Sequence, residues 1–313
     1  MFRREEGKQM NEIPGFQKMM LPLLRFAGDK LEHSTTDALD IIAKEFGISE
    51  EQKNQLLPSG NQKVFYNRVF WAKAYLKMAG LIENTKRAHF KITERGLNTL
   101  RENPPEINLK YLKKFPDYVE LSEGWKKDNS KSESDEDESI PQTPEESLES
   151  SFQDIQKTLA QELISKIKAC SPPFFERMVI ELLVAMGYGG SRIDAGKAIG
   201  KSGDEGIDGI IKEDKLGLDV IYIQAKRWEN VVGRPEIQKF VGALAGQGAK
   251  KGIFITTSRF TNDAKEYIPR NETKIVLIDG DQLANLLIDY NLGVSTQAIY
   301  ELKKVDSDYF EEE

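Results

Sequence analysis

The 313-residue chain has one cysteine, Cys170, and two histidines, His33 and His89. A single thiol excludes an intramolecular disulfide framework and any cysteine-rich zinc module. Two histidines leave little for a zinc hydrolase built on imidazole, and neither His33 nor His89 is assigned a role. No apolar run approaches the roughly 18 residues that span a bilayer. The opening Met-Phe-Arg-Arg-Glu-Glu has no apolar stretch behind it, so no secretory signal is expected. These absences predict a soluble protein of a reducing compartment, the cytoplasm. The residues present are 39% hydrophobic and 9% aromatic, enough for a sizeable core, and the length suits about two domains.

The net charge of −7 argues against nucleic acid only as a total. Residues 1–127 carry 22 Lys and Arg against 17 Asp and Glu, a balance of +5. Residues 128–150 carry one Lys against nine acids, and 151–313 carry 21 bases against 25 acids, balances of −8 and −4. Bases concentrate in 61–101, nine against two acids, as on a DNA-binding face. The stretch 124–150 is mostly Ser, Glu, Asp and Pro. It cannot bury enough surface to offset its ordering entropy, and reads as a disordered, self-repelling linker. The expected division is a first domain over 1–123, the linker over 124–150, and a second domain over 151–313 with an acidic tail.

The first domain reads as mostly helical. Residues 16–27 are amphipathic, 36–46 form a second helix capped by Ser34 or Thr35 and stopped by Gly47, and Ser49 with Gln52 makes a capping box for a short third. A long helix over 62–79 precedes two strands, 81–83 and 89–92, around Asn84-Thr85-Lys86-Arg87, and Thr93 caps a last helix. Helices followed by a basic hairpin match a winged helix-turn-helix. The long helix would then offer Lys63, Asn67, Arg68, Lys73 and Lys77 to duplex DNA, and the hairpin tip Lys86 and Arg87. Phe65, Val69, Phe70 and Leu76 are expected in the core.

The second domain alternates helix and strand. Helices are expected over 174–186, 235–247, 261–268 and 281–290, and strands over 207–212, 218–228, 252–257 and 274–278. This predicts an α/β domain, a mixed sheet covered by helices on both faces. Its chemistry concentrates between Gly203 and Lys226. Gly203-Asp204-Glu205-Gly206-Ile207-Asp208 opens a strand, and Gln224-Ala225-Lys226 lies on the next. Side chains alternate along a strand, so Gln224 and Lys226 share a face. In a hairpin, Asp208 meets both at one end of the sheet. A carboxylate, a second oxygen donor and a lysine, converging without His or Cys, suit a hard cation such as Mg²⁺. The lysine can hold a water for in-line attack on phosphorus.

Gly203 to Ile211, Gln224-Ala225-Lys226-Arg227-Trp228 and Val232-Gly233-Arg234-Pro235-Glu236-Ile237 resemble the catalytic domain of the Mrr restriction endonuclease family. So do Gly252-Ile253-Phe254-Ile255-Thr256-Thr257-Ser258 and Ile278-Asp279-Gly280. The resemblance covers about residues 165–295, and the winged helix resembles the family's companion domain. It implies a restriction-endonuclease-like fold within the PD-(D/E)xK nuclease superfamily. It also implies Asp208 as the first metal-binding aspartate and Lys226 as the catalytic lysine. Gln224 would stand where most of the superfamily has Glu or Asp, a departure that Mrr-like proteins share. A neutral amide gives the metal less charge, so Glu176, matching the family's first catalytic helix, is expected to help, with Asp204 as the alternative. Glu205 has no assigned role. The resemblance further implies an endonuclease of a restriction system, using Mg²⁺ or Mn²⁺, preferring methylated double-stranded DNA, and acting as a homo-oligomer. A prokaryotic, nucleoid-associated location follows. The alternatives are a winged-helix regulator with an inactive nuclease-like domain, or a nuclease of repair or branched DNA.

Overall fold

The computed structural model describes residues 12–126, 142–189, 207–214, 216–267, 273–303 and 305. The chain forms two compact units, 1–153 with 304–313, and 154–303. No described helix is long and apolar enough to cross a membrane.

In the first unit the order is α1 (Phe16–Phe26), β1 (His33–Ser34), α2 (Thr35–Phe46), α3 (Glu50–Asn54), α4 (Val64–Met78), β2 (Ile82–Asn84), β3 (His89–Ile92), α5 (Glu94–Arg101), α6 (Leu109–Leu112) and α7 (Pro116–Lys126). The caps act as the sequence predicts. Ser34 and Asp37 close a capping box on α2, Gly47 ends it at φ 63°, and Ser49 with Gln52 caps α3. The sheet order β1-β3-β2, all antiparallel, puts a two-residue strand beside the hairpin, the arrangement of a winged helix. Phe16, Met19, Met20, Leu23 and Leu24 of α1 bury against Phe65, Val69, Ala72 and Leu76 of α4. Phe70 does not join them. It is 54% exposed, which corrects its expected place in the core. The four-residue offset from Tyr66 turns it to the outer face of α4.

The expected linker is also narrower than composition suggests. Residues 124–126 end α7, and α8 (Pro144–Ala169) begins seven residues before the expected boundary at 151. Thr143 and Glu146 exchange hydrogen bonds as a capping box, with Pro144 at the first helical position. The remainder of the linker, 127–141, lies outside the described residues.

In the second unit α9 (Pro172–Ala185) is followed by β4 (Gly209–Lys212), β5 (Val220–Lys226), α10 (Arg234–Gly246), β6 (Lys251–Thr256), α11 (Asn262–Lys265), β7 (Lys274–Ile278) and α12 (Gly280–Asp289). α11 is shorter than the predicted 261–268. The sheet order is β4-β5-β6-β7, with β4 antiparallel to β5 and the rest parallel. Ile221, Ile223, Ile253 and Ile255 face α9 and α12, while Phe254 packs with Ile237, Phe240 and Leu244 of α10. Gly252 permits that second layer, because a Cβ there would meet Leu244 and Phe240 within 3 Å. The result is the mixed sheet, helix-covered on both faces, of a restriction-endonuclease-like domain.

Candidate active site and nucleic-acid face

The β4–β5 hairpin places the chemistry. Gly209 pairs with Ile223, so Asp208, one residue before β4, stands beside the end of β5. Its N–H donates to the Ile223 carbonyl at 2.8 Å, and the Ala225 N–H donates to its Oδ2 at 2.8 Å. This fixes the carboxylate from both ends. Lys226 Nζ lies 4.0 Å from the same Oδ2, both side chains mostly buried. The Lys226 carbonyl accepts from Thr256 Oγ1 at 2.9 Å, which ties the strand end to β6. Gln224 is 7% exposed, and its amide makes no hydrogen bond to another described residue.

Glu176 enters from α9, which packs on β4 and β5. Burial, and then the Asp208 charge, push its carboxyl above the ordinary range, with Lys226 pulling the other way. The structure therefore brings Asp208, Gln224 and Lys226 to one end of the hairpin, with Glu176 near enough to feel both charges. Asp204 and Glu205 lie outside the described residues. Among the described residues no three His, Cys, Asp or Glu side chains converge as a metal centre. The donors here are two carboxylates and an amide. Oδ1 of Asp208 and the Gln224 amide have no protein partner among the described residues, and two like charges approach each other. That donor set fits a hard divalent cation.

The seven basic and polar candidates of the first unit separate onto different surfaces. Asn67 is fully buried, accepting from Thr143 Oγ1 at 2.5 Å and donating to Gln62 at 3.1 Å. Arg68 pairs with Glu146 at 2.7 Å and donates to the Ile13 carbonyl, while Trp71 donates to Glu145. Residues 143–146 thus occupy this flank of α4, and neither Asn67 nor Arg68 faces outward. Lys73 and Lys77 lie on the flank of Tyr66 and Phe70, with Lys63 at the N-cap one turn before Tyr66. Lys63 donates to Asn54 at 2.7 Å, and Lys73 donates to Thr35 at 2.8 Å, with burial holding its pKa down. Lys77 is exposed. At the hairpin tip Lys86 pairs with Glu32 at 2.7 Å, and Arg87 is exposed. Tyr66 and Phe70, not among the expected DNA-facing residues, lie on the same outer flank as these lysines, 41% and 54% exposed. Their spacing of three and four from Lys63, Lys73 and Lys77 is visible on a helical wheel.

Residues 167–287 match the family described as restriction endonuclease, and residues 16–102 match the Mrr N-terminal domain. The chain is 37% identical to the type IV methyl-directed restriction enzyme EcoKMrr of Escherichia coli (strain K12), covering 96% of this chain and 99% of that protein. Among solved structures, the DNA modification-dependent restriction endonuclease AspBHI aligns at 16% identity and a TM-score of 0.32, over 66% of this chain and 52% of its own. With both domains matched, and one relative aligned from end to end, the chain belongs to the Mrr family of restriction endonucleases.

Proposed function

We propose that this endonuclease hydrolyses methylated double-stranded DNA in a Mg²⁺-dependent reaction, with Mn²⁺ able to substitute. The observation that carries the proposal is the Asp208–Lys226 pair at one strand end, beside the buried Gln224 amide, which has no partner among the described residues, and the raised pKa of Glu176. Glu176, Asp208 and Gln224 would hold the cation, which when bound supplies Lewis acidity to a phosphodiester and makes water easier to deprotonate. Lys226 acts by N–H donation. Its ammonium can hold a water or a phosphoryl oxygen, and Asp208, pinned by Ala225, fixes where that ammonium sits. Side by side, these two groups speak against an inactive, purely regulatory domain.

The winged-helix unit supplies DNA binding through the basic residues of α4 and the hairpin. The preference for methylated DNA is carried over from the E. coli relative, which is named as methyl-directed. Homo-oligomerisation follows from the need to cut two strands. Leu148, Phe152 and Ile155, exposed at a spacing of four and three on α8, offer an apolar stripe for it. The cytoplasm, with nucleoid association on DNA binding, is the expected location. The test is cleavage of methylated and unmodified plasmid with Mg²⁺ and with EDTA. Cleavage in Mg²⁺ that is lost in EDTA and faster on methylated plasmid is expected. Full activity in EDTA overturns the metal, and equal rates on both plasmids overturn the methyl preference.

A further inference from the structure

The outer face of α4 carries an arrangement that the proposed reaction does not yet use. Lys63, Tyr66, Phe70, Lys73 and Lys77 follow one another at steps of three and four, which stacks them on one side of the helix. The two aromatic rings are 41% and 54% exposed, and Lys63 Nζ lies 5.2 Å from the Tyr66 ring centre. The opposite flank is closed, with Asn67 buried and Arg68 and Trp71 held by Glu146 and Glu145. A helix that offers DNA one face offers it these residues.

We propose that Tyr66 and Phe70 are the specificity-determining residues for the methyl group, packing against it in the major groove while the exposed Lys77 beside them meets a phosphate. This rests on the preference for methylated DNA proposed above. Three considerations support it. α4 directly precedes the β2–β3 wing, the place of the recognition helix, which lies in the major groove. The methyl groups of 5-methylcytosine and N6-methyladenine both project there, where an apolar side chain recognises a base methyl by contact rather than by hydrogen bonding. Large rings left half in water forgo stabilisation that a methyl-bearing groove returns.

The experiment uses the full chain in EDTA, with duplexes in which every cytosine carries a 5-methyl group, every adenine an N6-methyl group, or neither. The quantity is the ratio of Kd for unmodified to methylated DNA. Phe70→Ala and Tyr66→Ala should each lower that ratio about fourfold or more, the worth of one buried methyl at about 0.8 kcal/mol. Phe70→Leu should keep most of it. Lys77→Gln should weaken binding to all duplexes alike and leave the ratio unchanged. Wild-type selectivity that persists in both alanine variants overturns the inference while leaving the methyl preference intact. A fall in the ratio accompanied by a change in oligomeric mass also overturns it, assigning the rings to an interface between copies. Equal affinity of the wild type for every duplex removes the methyl preference itself, and this inference with it.

Discussion

Asp208 is held at both ends by β5 and presents an oxygen with no protein partner among the described residues, so its loss should cost the reaction most. Asp208→Ala and Lys226→Ala should each reduce plasmid cleavage by about 10³-fold or more, the scale of a lost charge-stabilising group, while DNA binding survives. Retained cleavage in either variant would displace the site. Gln224 brings an oxygen but no charge. Gln224→Glu should tighten Mg²⁺ binding by calorimetry, and Gln224→Ala should weaken it and lose activity. Identical titrations for the three proteins would place Gln224 away from the cation. Glu176 gives a pH prediction. Burial and Asp208 raise its folded-state pKa. A raised carboxyl favours the protonated form, so its contribution to stability is complete below the unfolded value of about 4.3 and is lost as pH rises through the higher folded one. In EDTA, Glu176→Gln should therefore melt at a modestly higher temperature than wild type at neutral pH, and match it near about pH 4. A lower Tm at neutral pH would put Glu176 in a stabilising pair instead. All four are candidates that the sequence by itself proposes. Their convergence rests on register, since a slip of one residue would turn Gln224 and Lys226 to the other face.

At the scale of elements, α4 shows where sequence reading stops. Its length and its termini follow from the hydrophobic spacing, but the division of its polar residues into covered and open flanks does not. Asn67 and Arg68 look like DNA ligands until residues 143–146 are folded against them. The missed start of α8 has the same origin. Thr143-Pro144-Glu145-Glu146 is a legible capping box, yet the acidic composition around it reads as unstructured chain, because the partners that order it lie over 70 residues away on α4. Glu146→Ala should leave the half-buried Arg68 without its carboxylate and lower the stability of the N-terminal unit by about 1–3 kcal/mol in denaturant titration. No change would mean that this segment does not rest on α4 in solution. The hairpin makes a different demand. Neutralising Lys86 and Arg87 to Gln should weaken binding to all sequences and lower the salt slope by about one unit per lost phosphate contact. An unchanged slope would remove the wing from the DNA interface.

For the whole molecule, the proposed methyl preference requires more than backbone recognition, and the winged-helix unit is its expected source. The catalytic half carries a net charge of −4, with 21 bases against 25 acids in residues 151–313, and so has little excess of bases for the phosphates. A fragment spanning 154–313 keeps Leu163 and Ile167 of α8 in its core, so it retains the packing of that unit. It should bind DNA weakly and cut methylated and unmodified plasmid at equal rates, whereas the full chain is expected to discriminate. Full discrimination by the fragment would take recognition away from the winged helix. The sequence by itself determined the helical first part with its wing, the α/β second part, and the order of the strands that carry the proposed site residues. Each of those is written in local spacing, capping residues or composition. Only tertiary structure decided that Phe70 lies outside the core, that Asn67 and Arg68 are covered, and that Glu176 shares the field of Asp208 and Lys226. Exposure and electrostatic neighbourhood depend on what packs from distant segments, and no local pattern encodes them.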